Sequence, residues 1–205
     1  MSKIYASNRA EARLVSRENR LATAENVRRE ADEARLKNLL AVVDGCESVA
    51  VYLSAPPEPD TTEFVRRWPK PLYVPVLRTF KKTKTPDWTL LQPGTLEAAT
   101  RPGWQGIPEP LAEPLAEPIA PDAIIISALA ADGAGNRLGT GGGWFDRALA
   151  ALPNGCLKVC LLNSREIVGW VEPESHDVPV DVLVTESGWQ WSTVSSRKNR
   201  VPNRK

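Results

Sequence analysis

Residues 132–147, DGAGNRLGTGGGWFDR, carry the most legible chemistry in the chain. Gly139, Gly141, Gly142 and Gly143 fall within five residues. Glycine lets a backbone take positive φ and approach a ligand closely. Successive amide N–H groups in such a loop can form a nest for phosphate, helped by the positive end of a following helix. Arg137 can add a forked, charge-assisted contact to a phosphate oxygen. No Gly-Lys-Ser/Thr follows, so this is not a P-loop, and the G-x-G-x-x-G context of a dinucleotide site is absent.

Two acids stand near this loop or recur later: Asp146, and Asp177 in PESHDVPVD. One or two carboxylates together with ligand phosphates are the usual way of holding Mg²⁺. His176 is the sole histidine. A lone histidine is more often a packing residue than a catalyst, and metal ligation is the weakest of its readings. Arg9, Arg13, Arg17 and Arg20 recur at helical spacing and span roughly 80° of arc. They form either a solvated basic stripe or a clamp of forked side chains over polyphosphate. Glu58, in SAPPEPDTTEF after a short apolar run, could accept hydrogen bonds from a substrate's N–H groups, because loops at strand ends bind ligands in α/β sheets. A short helix is expected to begin after Asp60 or Thr61, with Asp60 reading as its N-cap.

The elements that position these groups follow from pattern. A helix is expected over 6–20, and a second, capped by Thr23 with Glu25 in its first turn, runs to about Val43 and stops at Asp44-Gly45. Strands are expected over 48–53, 71–77, 88–91, 157–162 and 180–185. The nearly all-apolar run 123–129 reads as a strand buried on both faces, as in a parallel sheet covered by helices. A helix is expected over 144–151. Residues 105–121, with EPLAEPLAEP, are too rich in proline for a helix and read as an extended loop. Alternating strands and helices predict an α/β layered fold with a mainly parallel sheet. One domain is expected over 1–188, followed by a basic, disordered tail over 189–205.

Composition narrows the function classes. A chain of 205 residues supports one good core. The net charge of +1 gives no overall bias toward nucleic acid. Three cysteines, Cys46, Cys156 and Cys160, are too few and unsuitably spaced for a disulfide framework or zinc site and read as core thiols. The N-terminal residues lack a signal-type apolar segment, and no apolar run is long enough to span a membrane. A cytoplasmic location is expected.

Taken together, the segments resemble the 5-formyltetrahydrofolate cyclo-ligase (methenyltetrahydrofolate synthetase) family over about residues 6–186. GNRLGTGGGWFDR is similar to the family's Gly-x-Arg-Leu-Gly-x-Gly-x-Gly-Tyr-Tyr-Asp run, and ESHDVPVDVLVTE to its second signature; YLSAPPEPDT and GIPEP fall in the right order. The resemblance implies a three-layer α/β/α fold of the NagB/RpiA/CoA-transferase kind. It implies that ATP phosphorylates the formyl oxygen of 5-formyltetrahydrofolate, N10 closes on the activated carbon and phosphate leaves, with Mg²⁺ as cofactor. Carried over by position, Arg9, Arg13 and the run Arg137, Leu138, Gly139, Thr140, Gly141, Gly142, Gly143, Trp144 and Phe145 would bind ATP, with Arg137 also catalytic. Leu53, Glu58 and residues 140–144 would border the folate, and Asp146 and Asp177 would serve the metal. A monomer without nucleic-acid or membrane partners is expected. Departures from the usual pattern include Arg9 for lysine, Thr140 for a larger side chain, Trp144-Phe145 for Tyr-Tyr, Asn163 for an aromatic and Glu166 for glutamine. A paralogue that binds formylfolate or nucleotide with poor turnover, or an ATP-dependent enzyme for another substrate, is the alternative.

Overall fold

The computed structural model describes residues 9–198. Its elements run α1 (Arg9–Leu21), α2 (Glu25–Val42), β1 (Val49–Val51), α3 (Thr62–Arg67), β2 (Leu72–Val76), α4 (Leu77–Thr83), β3 (Asp87–Leu91), α5 (Leu96–Ala99), β4 (Thr100–Pro102), β5 (Pro108–Pro110), β6 (Ala123–Ser127), β7 (Ala130–Asp132), β8 (Arg137–Leu138), α6 (Trp144–Ala151), β9 (Leu157–Leu161), β10 (Ile167–Val168), β11 (Val182–Thr185), β12 (Gly188–Trp191) and α7 (Thr193–Lys198).

The main sheet has the order β12-β11-β9-β6-β1-β2-β3. Its centre is parallel, with Val51 beside Ile125, Ile125 beside Val159 and Val159 beside Val182. Only the outer strands β3 and β12 run antiparallel to their neighbours. All five residues of β6 are buried, the pattern of a strand covered on both faces. Strand pleating sends alternate side chains to opposite faces. Ile125, Val159 and Val182 pack with Leu39 of α2 and Phe64 of α3. Their neighbours Ile124, Ile126, Cys160 and Leu183 pack with Ala148 and Leu149 of α6. The result is the expected three-layer α/β/α arrangement with a mainly parallel sheet. No helix among the described residues is long and apolar enough to cross a membrane.

The expected elements are found with shifted ends, and the differences are local. Thr23 does not cap α2: its hydroxyl donates to Asn19 O at 2.9 Å, at the end of α1, and Ala24 occupies the cap position without a side-chain bond. Thr61, not Asp60, takes the cap position of α3, while the Asp60 carboxylate accepts from Thr62 N at 3.0 Å. The proline-rich segment is mostly loop, but β5 within it pairs with β4. Residues 189–198 depart from the expected disordered tail. They continue β12 and form α7, held because Ser192 N donates to Asp181 O at 2.8 Å and Thr193 N to Gly133 O at 2.9 Å. The remainder of that tail, 199–205, lies outside the described residues. Cys156 and Cys160 are buried thiols whose pKa burial pushes up to about 11 and about 12, so both are unreactive core residues.

Gly135 closes the β7–β8 turn at φ 90°, and a Cβ there would sit 2.3 Å from the Val180 carbonyl oxygen. That oxygen belongs to a backbone segment tied down by Val180 N donating to Gly135 O at 2.9 Å, so it cannot yield cheaply. Gly135→Ala is expected to destabilise the fold by about 3 kcal/mol, combining positive-φ strain and overpacking. Urea unfolding would check this; a loss within experimental error would show that the turn can relax.

Candidate active site

The glycine-rich loop leaves β8 and enters α6, as its sequence implied. Of its four glycines only Gly141 (φ 98°) and Gly143 (φ 69°) need the left-handed region. Gly143 is the cap residue of α6, with no side-chain cap bond, so the helix opens on a left-handed glycine. The N–H groups of this first turn point outward from the helix end, where the dipole favours an anion.

Helix α1 lies across this loop, and its basic stripe is turned to protein partners, with Arg17 still exposed. Arg13 Nε donates to Gly139 O at 2.9 Å, and Arg17 Nη2 to Thr140 O at 3.1 Å. Arg9 Nη1 donates to Glu172 O at 2.9 Å and to Asp177 Oδ2 at 3.2 Å. Arg9 Nε is buried without a hydrogen bond among the described residues and faces Glu174 Oε1 at 3.6 Å. Arg20 turns inward: Nε and Nη2 bond the two carboxylate oxygens of Glu166 at 2.7 and 2.8 Å, and Nη2 also bonds Ala128 O at 2.5 Å.

Asp146, His176 and Asp177 converge, with one potential ligand atom of each lying within 4.8 Å of the others. The Asp177 side chain is buried, and its Oδ2 also accepts from Glu174 N at 2.8 Å. His176 is exposed, 3.3 Å from Glu174 Oε2. Asp146 pairs with Arg137, whose Nη1 donates to Val178 O at 2.8 Å. Arg137 is only 3% exposed. Its fork is therefore turned to Asp146 and the 178 carbonyl, and not presented to the loop as the sequence suggested.

Trp144 and Phe145 open α6. Trp144 packs edge-on against Trp88, Phe80 and Phe145, with its indole N–H buried and unpartnered among the described residues. The expected folate contacts Leu53 and Glu58 differ in setting. Leu53 is buried within the core. Glu58 lines a cavity of about 140 Å³ with Arg20, Arg28, Asn163 and Arg165 among its walls. Its carboxylate accepts from Ser127 Oγ at 3.3 Å and from Ala55 N at 3.4 Å.

Burial pushes the Glu58 carboxyl above its usual range, against the lowering effects of the Ala55 amide, Arg20 and Ser127. Folding therefore favours the protonated acid. This contribution to stability is fully present below the unfolded carboxyl pKa of about 4.3 and is lost as pH rises through the higher folded value. Glu58→Gln is expected to remove that part of the pH dependence and to leave the protein no less stable at neutral pH. Thermal unfolding from mildly acid to neutral pH would check it; an unchanged slope would assign the titration elsewhere.

Sequence reasoning missed two buried arginines. Arg35 is 1% exposed; Nε donates to Leu162 O at 2.9 Å and Nη2 to Asn163 Oδ1 at 2.8 Å. The role of Arg20 as the anchor of α1 was also hidden, since its spacing matches the stripe. The signal available for that pair was Glu166, already marked as a departure from the pattern that the sequence resembles.

A parallel sheet, a glycine loop entering a helix and a carboxylate cluster at one end define an α/β protein whose site gathers groups suited to both anions and cations. The chain belongs to the 5-formyltetrahydrofolate cyclo-ligase family, whose model matches residues 6–186. A curated relative, the 5-formyltetrahydrofolate cyclo-ligase of Mycolicibacterium smegmatis, is 32% identical over 99 residues, 48% of this chain. The match spans 50% of that relative, about half its length. The solved 5,10-methenyltetrahydrofolate synthetase of Aquifex aeolicus is 26% identical with a TM-score of 0.74, over 96% of this chain and 95% of that one. That of Mycoplasma pneumoniae shares the fold at 17% identity and a TM-score of 0.67, over 87% and 99% of the two chains.

Proposed function

We propose that the chain converts 5-formyltetrahydrofolate to 5,10-methenyltetrahydrofolate at the expense of ATP, with Mg²⁺, releasing ADP and phosphate. The observation that carries this reading is the convergence of Asp146, His176 and Asp177 beside the glycine loop, with α1 arginines laid across it. Family membership supplies the substrate. Asp146 and Asp177 fit Mg²⁺, a hard cation that prefers carboxylate oxygens and bound phosphates. When bound there, the ion would neutralise charge on the phosphate oxygens.

The chain's own residues then have positioning work. The amides of residues 141–145 and the cations of α1 orient the triphosphate, and Trp144 and Phe145 wall the site. Glu58 would receive N–H groups of the folate. The γ-phosphoryl group passes to the formyl oxygen, N10 of the substrate attacks the formyl carbon, its proton is lost, and the C–O bond breaks to release phosphate. N10 is the nucleophile, so the protein needs none; alignment and charge stabilisation suffice.

The test is the absorbance of the methenyl product after mixing protein, 5-formyltetrahydrofolate and Mg-ATP. A rise that requires ATP is expected. No rise from folded protein that binds ATP would favour a binding paralogue. Asp146→Asn is expected to raise the Mg²⁺ concentration for half-maximal rate by about tenfold or more, from loss of a charged ligand. An identical titration would remove Asp146 from the metal.

A further inference from the structure

Both carboxylates of the cluster hold a guanidinium: Asp177 pairs with Arg9 and Asp146 with Arg137. The two arginines differ in exposure. Arg137 is buried and fixed to Val178 O. Arg9 sits at the first turn of α1, its side chain 19% exposed; Nη1 also donates to Glu172 O at 2.9 Å, and Nε lacks a hydrogen bond among the described residues. Resting on the site proposed above, we infer that Arg9 is the determinant that admits the divalent cation only together with the nucleotide.

The physical argument is competition for one acceptor. Asp177 Oδ2 already accepts from Arg9 Nη1 and Glu174 N. A cation arriving alone must displace Arg9 from this oxygen, or bind beside its positive charge. A polyphosphate offers Arg9 stronger acceptors, since forked guanidinium–phosphate pairs are among the strong hydrogen bonds. Once Arg9 turns to phosphate, Asp177 is released for the cation. The two ligands are then coupled, and the coupling is reciprocal. Arg9 therefore acts in opposite directions on the two ligands. It weakens binding of the cation alone and strengthens binding of the nucleotide.

That opposition is the test. Free Mn²⁺ is measured by electron paramagnetic resonance against the full chain without nucleotide, and ATP binding is measured by calorimetry in the presence of a chelator. Arg9→Gln is expected to bind Mn²⁺ about tenfold more tightly than the parent and ATP about tenfold more weakly, within the usual range of coupling between sites. Arg9→Lys should return both towards the parent, and adding Asp177→Asn to Arg9→Gln should cancel the Mn²⁺ gain. Thermal unfolding of each variant confirms the fold before titration. If Arg9→Gln binds Mn²⁺ no more tightly while the parent still binds ATP, the gating role of Arg9 is overturned and the site stands. A folded parent that binds neither Mn²⁺ with ATP nor ATP alone overturns both.

Discussion

Arg137→Ala is expected to lower ATP-dependent turnover by at least about tenfold and the stability of the fold by about 3 kcal/mol. The substitution removes a buried guanidinium that ties β8 to the 178 carbonyl and to Asp146 at the start of α6. It leaves the Val178 oxygen unpaired and the Asp146 carboxylate without its counter-charge. The Asp146 side chain is 27% exposed and can recover water, so most of the cost falls on the Val178 oxygen and on the volume that Arg137 vacates. The catalytic loss has a separate origin. Asp146 and residues 176–177 come from distant segments, and Arg137 bridges Asp146 to residue 178, next to the other two. Without the bridge the cluster loosens, and misplacement of about 1 Å can cost a hundredfold. Arg137→Lys keeps the charge but cannot fork, so it should fall between parent and alanine. Phosphate release and urea unfolding of all three proteins are the measurements. Unchanged ATP dependence in folded Arg137→Ala would remove this residue from the site.

Glu166→Ala should produce the larger loss of stability, about 4 kcal/mol. The Glu166 carboxylate accepts four hydrogen bonds: two from Arg20, one from Asn163 N at 2.9 Å and one from Asn163 Nδ2 at 2.8 Å. Alanine would strand Arg20, which is 3% exposed. Replacing both members by methionine should cost much less than either single change, since paired burial of charge is balanced by its own desolvation. A double-mutant cycle in urea would measure the coupling. Because α1 also carries Arg9, Arg13 and Arg17, Glu166→Ala should raise the KM for ATP more than it lowers kcat. A change in kcat alone, with KM unaltered, would mean that the pair does not position α1.

The sheet was legible because its signals are local and redundant. The apolar run 123–129 could hardly be anything but a strand covered on both faces, and Gly143 followed by WFDR announces a helix start. Helix caps were less legible. Thr23 has the right chemistry for a cap, yet its hydroxyl is taken by Asn19 O, at the end of the preceding helix. The edge strand β12 escaped because GWQW lies in a stretch that then turns basic, and its pairing partner, β11, decides its state. At the site, types and spacing singled out the loop, Asp146 and Asp177, but not who pairs with whom. Arg137 beside a glycine loop reads as a phosphate contact; only the fold reveals that Asp146 and Val178 reach it first. The four-arginine stripe divides likewise. Arg13 and Arg17 hold loop carbonyls, Arg9 holds an acid of the cluster, and Arg20 is swallowed by the core.

The bond from Arg13 to Gly139 O joins residues separated by 126 positions, and that from Arg9 to Asp177 joins residues 168 apart. As the chain emerges from a ribosome, α1 precedes these partners and cannot meet them until they are made. A chain that has been made only as far as β9 still lacks the Asp177 partner of Arg9. The last piece of the clamp to be made is the 172–178 segment.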